Sequence, residues 1–80
     1  MGLPALMQAT VKLYLAFRVG RFTTADVDLL DPATVDHLIQ RLAIPGDSVG
    51  LIMVNGRQGE RDTPLSDGDT VALFPVVGGG

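Results

Sequence analysis

Few residues in this chain carry chemistry beyond packing. The last apolar run, "TVALFPVV", leads directly into Gly78-Gly79-Gly80, and the free carboxylate of Gly80 is the first candidate for a reacting group. Gly78 and Gly79 add nothing to a core, and glycine loses more conformational freedom on ordering than any other residue. A run of glycines is useful where backbone must thread a channel that would reject any Cβ. The tail is therefore expected to carry a terminal carboxylate into the buried site of a partner. The competing reading is a frayed end or a linker remnant. The position of the glycines, directly after a strand, favours the reactive tail.

Other candidates are weaker. His37, the only histidine, falls between the apolar positions of a helical pattern and is expected to face water. Asp67 and Asp69 flank Gly68, but so short a loop supplies too few oxygens for calcium, and "DGD" is ordinary turn chemistry. Ser48 and Ser66 have no base beside them in sequence, and no glycine-rich phosphate loop is present. The 80 residues contain no cysteine, which removes disulfides, thiolate metal sites, iron–sulfur ligation and a thiol nucleophile. The chain is not expected to act alone as an enzyme or to hold a metal or cofactor. Phe74, Val76 and Val77 come at the end of the last strand, where few core positions remain, so they are expected at an interface.

A net charge of −3, with only six lysines and arginines, argues against nucleic acid as the main partner. The opening "MGLPALMQAT" has neither the basic start of a signal peptide nor an apolar run long enough to cross a membrane. A cytoplasmic protein is expected. At 46% hydrophobic and 19% charged, the chain has the composition of a globular domain. A domain of this length buries only about 60% of its unfolded surface, so two layers around one small core are the ceiling.

The elements that would position the tail can be read from periodicity. "VKLYLAFRV" alternates, with Val11, Leu13, Leu15, Phe17 and Val19 on one face, and predicts a strand over 11–19. After a turn at Gly20-Arg21, Ala25, Val27 and Leu29 alternate with Asp26 and Asp28, completing a hairpin. In "DPATVDHLIQRLAI" the period changes: Val35, Leu38, Ile39 and Leu42 have helical spacing, with Asp31 as N-cap, Pro32 at the first position and Pro45-Gly46 as the stop. "VGLIMV" then predicts a strand ending in the tight-turn dipeptide Asn55-Gly56, with a weak return over "RQGERD". A second turn carries Gly68, and the last strand has Val71 and Leu73 inward, Ala72 and Phe74 outward, and Pro75 at the limit of pairing. These elements add up to an α+β fold, a mixed sheet of four to five strands packed on one main helix. The expected organisation is a disordered lead-in over 1–9, a folded domain over 10–77 and a flexible reactive tail over 78–80.

The stretch "VNGR…PLSDGDTVALFPVVGGG" resembles the closing half of the MoaD/ThiS family of ubiquitin-like sulfur carriers, whose fold is the β-grasp. Asp67-Gly68-Asp69, Val71, Phe74-Pro75, Val77 and Gly79-Gly80 stand where family members carry a DGD-type turn, a short apolar strand, a Phe-Pro-Pro-Val-like stretch and a terminal Gly-Gly. The likeness is specific over 51–80 and a matter of element order over 11–50, although "VKLYLAFR" also fits. Val76 stands where a second proline is usual, and Gly78 precedes the glycine pair. A Gly-Gly-Gly ending also occurs in thiazole-pathway carriers, whereas "LFP" and the long first strand favour the small subunit of molybdopterin synthase.

The resemblance implies a mechanism. A ubiquitin-activating-type adenylyltransferase would use ATP and magnesium to adenylate the Gly80 carboxylate, and a sulfur donor would convert it to a thiocarboxylate. The large catalytic subunit of molybdopterin synthase would then receive that sulfur. Gly78 and Gly79 would let the tail thread, and Phe74, Pro75, Val76 and Val77 would dock on the partner. Alternatives within the same fold are a thiazole-type carrier, a ubiquitin-like protein modifier and an inert β-grasp binding module.

Overall fold

Strand β1 (Leu6–Leu13) is the spine of the molecule. Its odd residues Met7, Ala9, Val11 and Leu13 are buried, while its even residues face the other side of the sheet. The computed structural model describes residues 5–77. β1 pairs antiparallel with β2 (Thr24–Leu30) and parallel with β7 (Thr70–Pro75), so the two strands flanking it run in opposite directions. β7 also pairs antiparallel with β4 (Val49–Val54), and β4 with the short β5 (Arg57–Gln58). The sheet order is β2-β1-β7-β4-β5. Helix α1 (Val35–Arg41) covers one face, and a two-stranded ladder of β3 (Ala33–Thr34) and β6 (Pro64–Leu65) leads into it. This is the ubiquitin-like β-grasp, with its mixed five-stranded sheet on a single helix.

The core forms where the inward strand residues meet the helix stripe. Val11, Leu13, Val35, Leu38, Ile39, Val71 and Leu73 are fully buried, and no polar or charged residue is buried among the described residues. The side chain of Leu42 packs against this cluster from the helix end.

Three sequence expectations need correction. Residues 6–9 are not lead-in: Leu6 to Ala9 pair with Val27 to Leu30, and Met7 and Ala9 enter the core. Two further bonds fasten this segment, the Gln8 N–H to Asp67 Oδ1 and the Gly68 N–H to the Gln8 carbonyl, both 2.8 Å. Residues 1–4 and 78–80 lie outside the described residues.

The strand expected over 11–19 stops at Leu13. Leu15 has φ +54°, in the left-handed region, and Leu15–Arg18 form a 3₁₀ turn. Its tighter period turns Phe17 into the core and leaves Leu15 and Val19 62% and 77% exposed. The alternation in "VKLYLAFRV" runs on, but pairing partners for it end at Leu73 and Thr23.

Nor does the helix begin at Asp31-Pro32. Ala33 and Thr34 are held extended by Leu65 and Pro64, and Thr34 is the N-cap. A capping box closes there: Thr34 Oγ1 accepts from the His37 N–H (3.4 Å) and His37 Nδ1 accepts from the Thr34 N–H (2.9 Å). The loop over 61–63 satisfies the next open donors, Val35 N–H on the Thr63 carbonyl and Asp36 N–H on the Arg61 carbonyl. At the other end the Ala43 N–H bonds the Gln40 carbonyl and the Ile44 N–H the Ile39 carbonyl, a Schellman motif with Ala43 at φ +56° where glycine is usual.

Candidate functional site

Because β7 is a central strand that runs parallel to β1, its exit is fixed by neighbours on both sides. The turn before it is built by the aspartates noted in the sequence. Asp69 Oδ2 accepts from the Ser66 N–H (2.8 Å), and Asp69 Oδ1 accepts from Asn55 Nδ2 (2.8 Å). Asn55 Oδ1 in turn accepts from the Thr70 N–H (2.9 Å). The Asn55-Gly56 hairpin, with φ +52° and +80°, and the Gly68 turn, with φ +88°, are thus tied together at the entry to β7. Asp67 and Asp69 serve the backbone here, and no group of three or more metal-ligating side chains occurs among the described residues.

At the exit of β7 three contacts converge. The Phe74 ring stacks on Tyr14, centroids 4.3 Å apart and planes 13° off parallel. Arg18 covers the same tyrosine, its guanidinium carbon 5.3 Å from the ring centroid, and donates from Nε to the Leu13 carbonyl (2.8 Å). Phe74 is therefore half-buried under a neighbour, on the outer face as its even number requires, rather than freely exposed. Leu51 lies across from it and Met53 across from Ala72, making a half-covered apolar strip on the face away from the helix.

Beyond Phe74 the ladder with β4 is irregular. Pro75 lies opposite Val49, Phe74 opposite Leu51, and Gly50 is the extra residue of a bulge. A Cβ on Gly50 would lie 2.9 Å from both the Pro75 carbonyl oxygen and the Val76 Cα. The last anchor is the Val76 N–H, which donates to the Ser48 carbonyl at 2.8 Å. Ser48 is itself folded back, its Oγ donating to the Pro45 carbonyl (2.6 Å). After that bond the side chains leave the protein: Val76 is 54% exposed and Val77 81%. Gly78, Gly79 and Gly80 lie outside the described residues.

Of the residues singled out in the sequence, the structure brings Phe74, Pro75, Val76 and Val77 to one end of the central strand and leaves His37 at the helix cap. It adds Tyr14, Arg18, Ser48 and Gly50. Only Gly50 left a readable mark, since a glycine inside an apolar strand pattern signals a bulge or a close backbone approach. The strongest electrostatic contact lies elsewhere. Arg61 holds Asp36 with bonds of 2.9 and 2.6 Å, and this hydrogen bonding, more than the opposing desolvation, keeps the Asp36 carboxyl below its ordinary value.

Comparisons agree with this geometry. The model of the ThiS family matches residues 18–80. Among solved structures, one described as molybdopterin converting factor subunit 1 of Pyrococcus furiosus is 30% identical, with a TM-score of 0.74 over 89% of this chain and 99% of that one. Small archaeal modifier protein 1 of Haloferax volcanii is 26% identical, with a TM-score of 0.72 over 91% of this chain and 99% of that one. The ubiquitin of Caldiarchaeum subterraneum, 19% identical with a TM-score of 0.60 over 95% of this chain and 100% of that one, shares the fold. No curated protein matches the chain significantly.

Proposed function

Because the chain belongs to the ThiS family of small ubiquitin-fold sulfur carriers, we propose that the Gly80 carboxylate is the group that is activated and loaded. A carboxylate is a poor acyl donor because its leaving oxygen is anionic. Adenylation replaces one hard displacement by two easier ones, the logic of covalent catalysis. An activating enzyme of the ubiquitin type, with ATP and magnesium, lets the carboxylate oxygen attack the α-phosphorus as pyrophosphate leaves. A sulfide-level nucleophile then attacks the carbonyl carbon, the bond to AMP breaks, and a thiocarboxylate remains with no change of oxidation state. The acceptor in this reading is a molybdopterin precursor bound in a larger synthase subunit, and the setting is the cytoplasm.

The observation that carries the reading is the manner in which β7 leaves the sheet. Gly50 and the Ser48 carbonyl aim the backbone at Val76, Val77 projects into solvent, and three glycines come next in sequence. The half-covered strip of Phe74, Leu51 and Met53 beside the exit offers apolar docking area to the partner. Likeness to the Pyrococcus furiosus protein favours the molybdopterin branch. Likeness to the archaeal modifier supports a second reading, in which a lysine amine takes the same adenylated Gly80 into an isopeptide bond.

Incubation with a ubiquitin-type activating enzyme, ATP, magnesium and sulfide, with intact-mass measurement afterwards, tests this. One oxygen exchanged for sulfur, absent when Gly80 is deleted, is the expected result. Lysine conjugates without that exchange would favour the modifier, and an unchanged mass with the cognate activating enzyme would overturn both.

A further inference from the structure

One edge of the sheet carries a surface separate from the exit of β7. β2 ends the sheet, with β1 on one side and, among the described residues, no strand on the other. Its register with β1, together with the Asp31 N–H on the Ala5 carbonyl and the Leu13 N–H on the Thr23 carbonyl, shows which residues bond inward. They are the odd ones, Ala25, Val27 and Leu29. In an antiparallel ladder the alternate residues then turn both backbone groups outward. The N–H and C=O groups of Thr24, Asp26, Asp28 and Leu30 accordingly form an open edge, and no bond to them occurs among the described residues.

Beside this edge the surface is concave. Two hollows, of about 690 and 330 Å³, lie between β2 and the last turn of α1, and Asp28 and Arg41 border both. Leu29, Leu30 and Gln40 line the larger one, which is mainly apolar, while Val27 and Leu42 line the smaller beside Asp26, Asp28 and Arg41, and it is the more polar of the two. In the larger one Leu6 and Leu30 are 67% and 62% exposed.

The charges select the occupant. Asp26 and Asp28 stand on the outer face, where they accept hydrogen bonds from Thr10 Oγ1 (2.9 Å) and Gln8 Nε2 (3.3 Å). Among the described residues neither has a cation within ion-pair range. A second copy pairing antiparallel through the same edge, in the registers that overlap most of β2, would set Asp26 of each chain opposite Asp28 of the other, or one aspartate opposite itself. Like charges directly opposite one another destabilise a strand pair. A strand with lysine or arginine at those positions would gain what a second copy loses. Its intervening residues would point to the helix side, over Val27, Leu29 and Leu42, where apolar side chains fit.

We infer that the β2 edge, with the hollows it shares with α1, is a second docking site that takes an extended peptide strand alternating basic and apolar residues. The main-chain ladder supplies affinity and the alternation supplies specificity, as in other cases of strand addition. The site is independent of the Gly80 chemistry, so either can fail alone.

The test uses two heptapeptides, VKVKVKV and VEVEVEV with blocked ends, titrated into the full chain and monitored by amide NMR. The lysine peptide should bind about tenfold or more tightly than the glutamate one, since the cross-strand pairs change from attraction to repulsion. Its binding should slow hydrogen exchange at the amides of Thr24, Asp26, Asp28 and Leu30, and the paired substitution Asp26→Lys with Asp28→Lys should reverse the preference. Equal binding of both peptides, binding without protection of those four amides, or protection mapped to the Tyr14–Phe74 face would each overturn the inference. If Asp26→Asn with Asp28→Asn dimerises through β2 while the lysine peptide never protects the edge, the aspartates act only as guards against self-association, and the inference is wrong.

Discussion

β1 and β7 lie side by side, run parallel and reach the same end of the sheet with Leu13 opposite Leu73. Their continuations are opposite in kind. After Leu13 the chain enters a 3₁₀ turn that drives Phe17 into the core and fastens Arg18 to the Leu13 carbonyl. After Leu73 it goes straight on, still paired with β4 at Phe74 and Pro75, stacked at Phe74 and bonded last at Val76, and Val77 projects into solvent. One exit is folded back on the domain and the other is guided away from it. The pairing of β1 with β7 therefore does not decide either exit. The residues just past the last pair do so: a left-handed Leu15 on one side, a donor-less Pro75 beside a glycine bulge on the other.

The sharpest way to separate the two exits is to change the tail and nothing else. Gly79→Val should leave thermal unfolding unchanged and abolish Gly80 adenylation, read as loss of ATP–pyrophosphate exchange; normal exchange would refute threading. Phe17→Ala should do the reverse, costing about 3 kcal/mol or more of stability in urea titrations through the lost aromatic burial, with loading intact wherever the protein remains folded. A smaller effect belongs to the bulge. In Gly50→Ala the new methyl meets backbone that side-chain motion cannot clear, so a loss of about 1–3 kcal/mol is expected, with NMR shifts concentrated at Val76 and Val77. If those shifts spread evenly over the sheet, Gly50 does not aim the exit.

Removing the stack has a milder outcome. Phe74→Ala should lose its stacking with Tyr14, about 0.5–1.5 kcal/mol beyond buried area, and should raise the KM for the carrier in activation more than it lowers kcat. The Arg61–Asp36 pair, whose guanidinium lies against Gly46 in the turn that leads to Ser48, has the smallest expected effect. Asp36 has a folded-state pKa below its ordinary 3.8, so its small contribution is present above that value and is lost as pH falls through the lower, folded one. Arg61→Gln should flatten stability only in that acid window, read from urea midpoints against pH, and leave the tail's NMR signals in place.

Much of the fold was legible. Strict alternation identified Val11, Leu13, Val71 and Leu73 as core, and helical spacing identified Val35, Leu38 and Ile39, because burial of one face imposes period 2 or 3.6 on the residues that supply it. Asn55-Gly56 marked its hairpin since both positions need positive φ. Asp31-Pro32 was a sound local start for a helix, yet pairing of Ala33 and Thr34 with Leu65 and Pro64 overrode it from a segment distant in sequence. Leu15 and Val19 misled for the same reason: a pattern can continue after its partners have stopped. At the exit of β7, the residues from Phe74 to Val77 could be read from their order, whereas Tyr14 and Arg18 carried no local sign of meeting Phe74.

Residue type and local spacing were thus enough to set the class of fold, the core-facing residues and the candidate reacting terminus. Where β1 ends, which threonine caps the helix, which rings stack at the exit of β7 and which backbone groups stay open on β2 were settled only once the chain was folded. Each of these is a contact, or a missing contact, between segments distant in sequence. Its free energy lies in the pair, and neither member carries a signal of it alone.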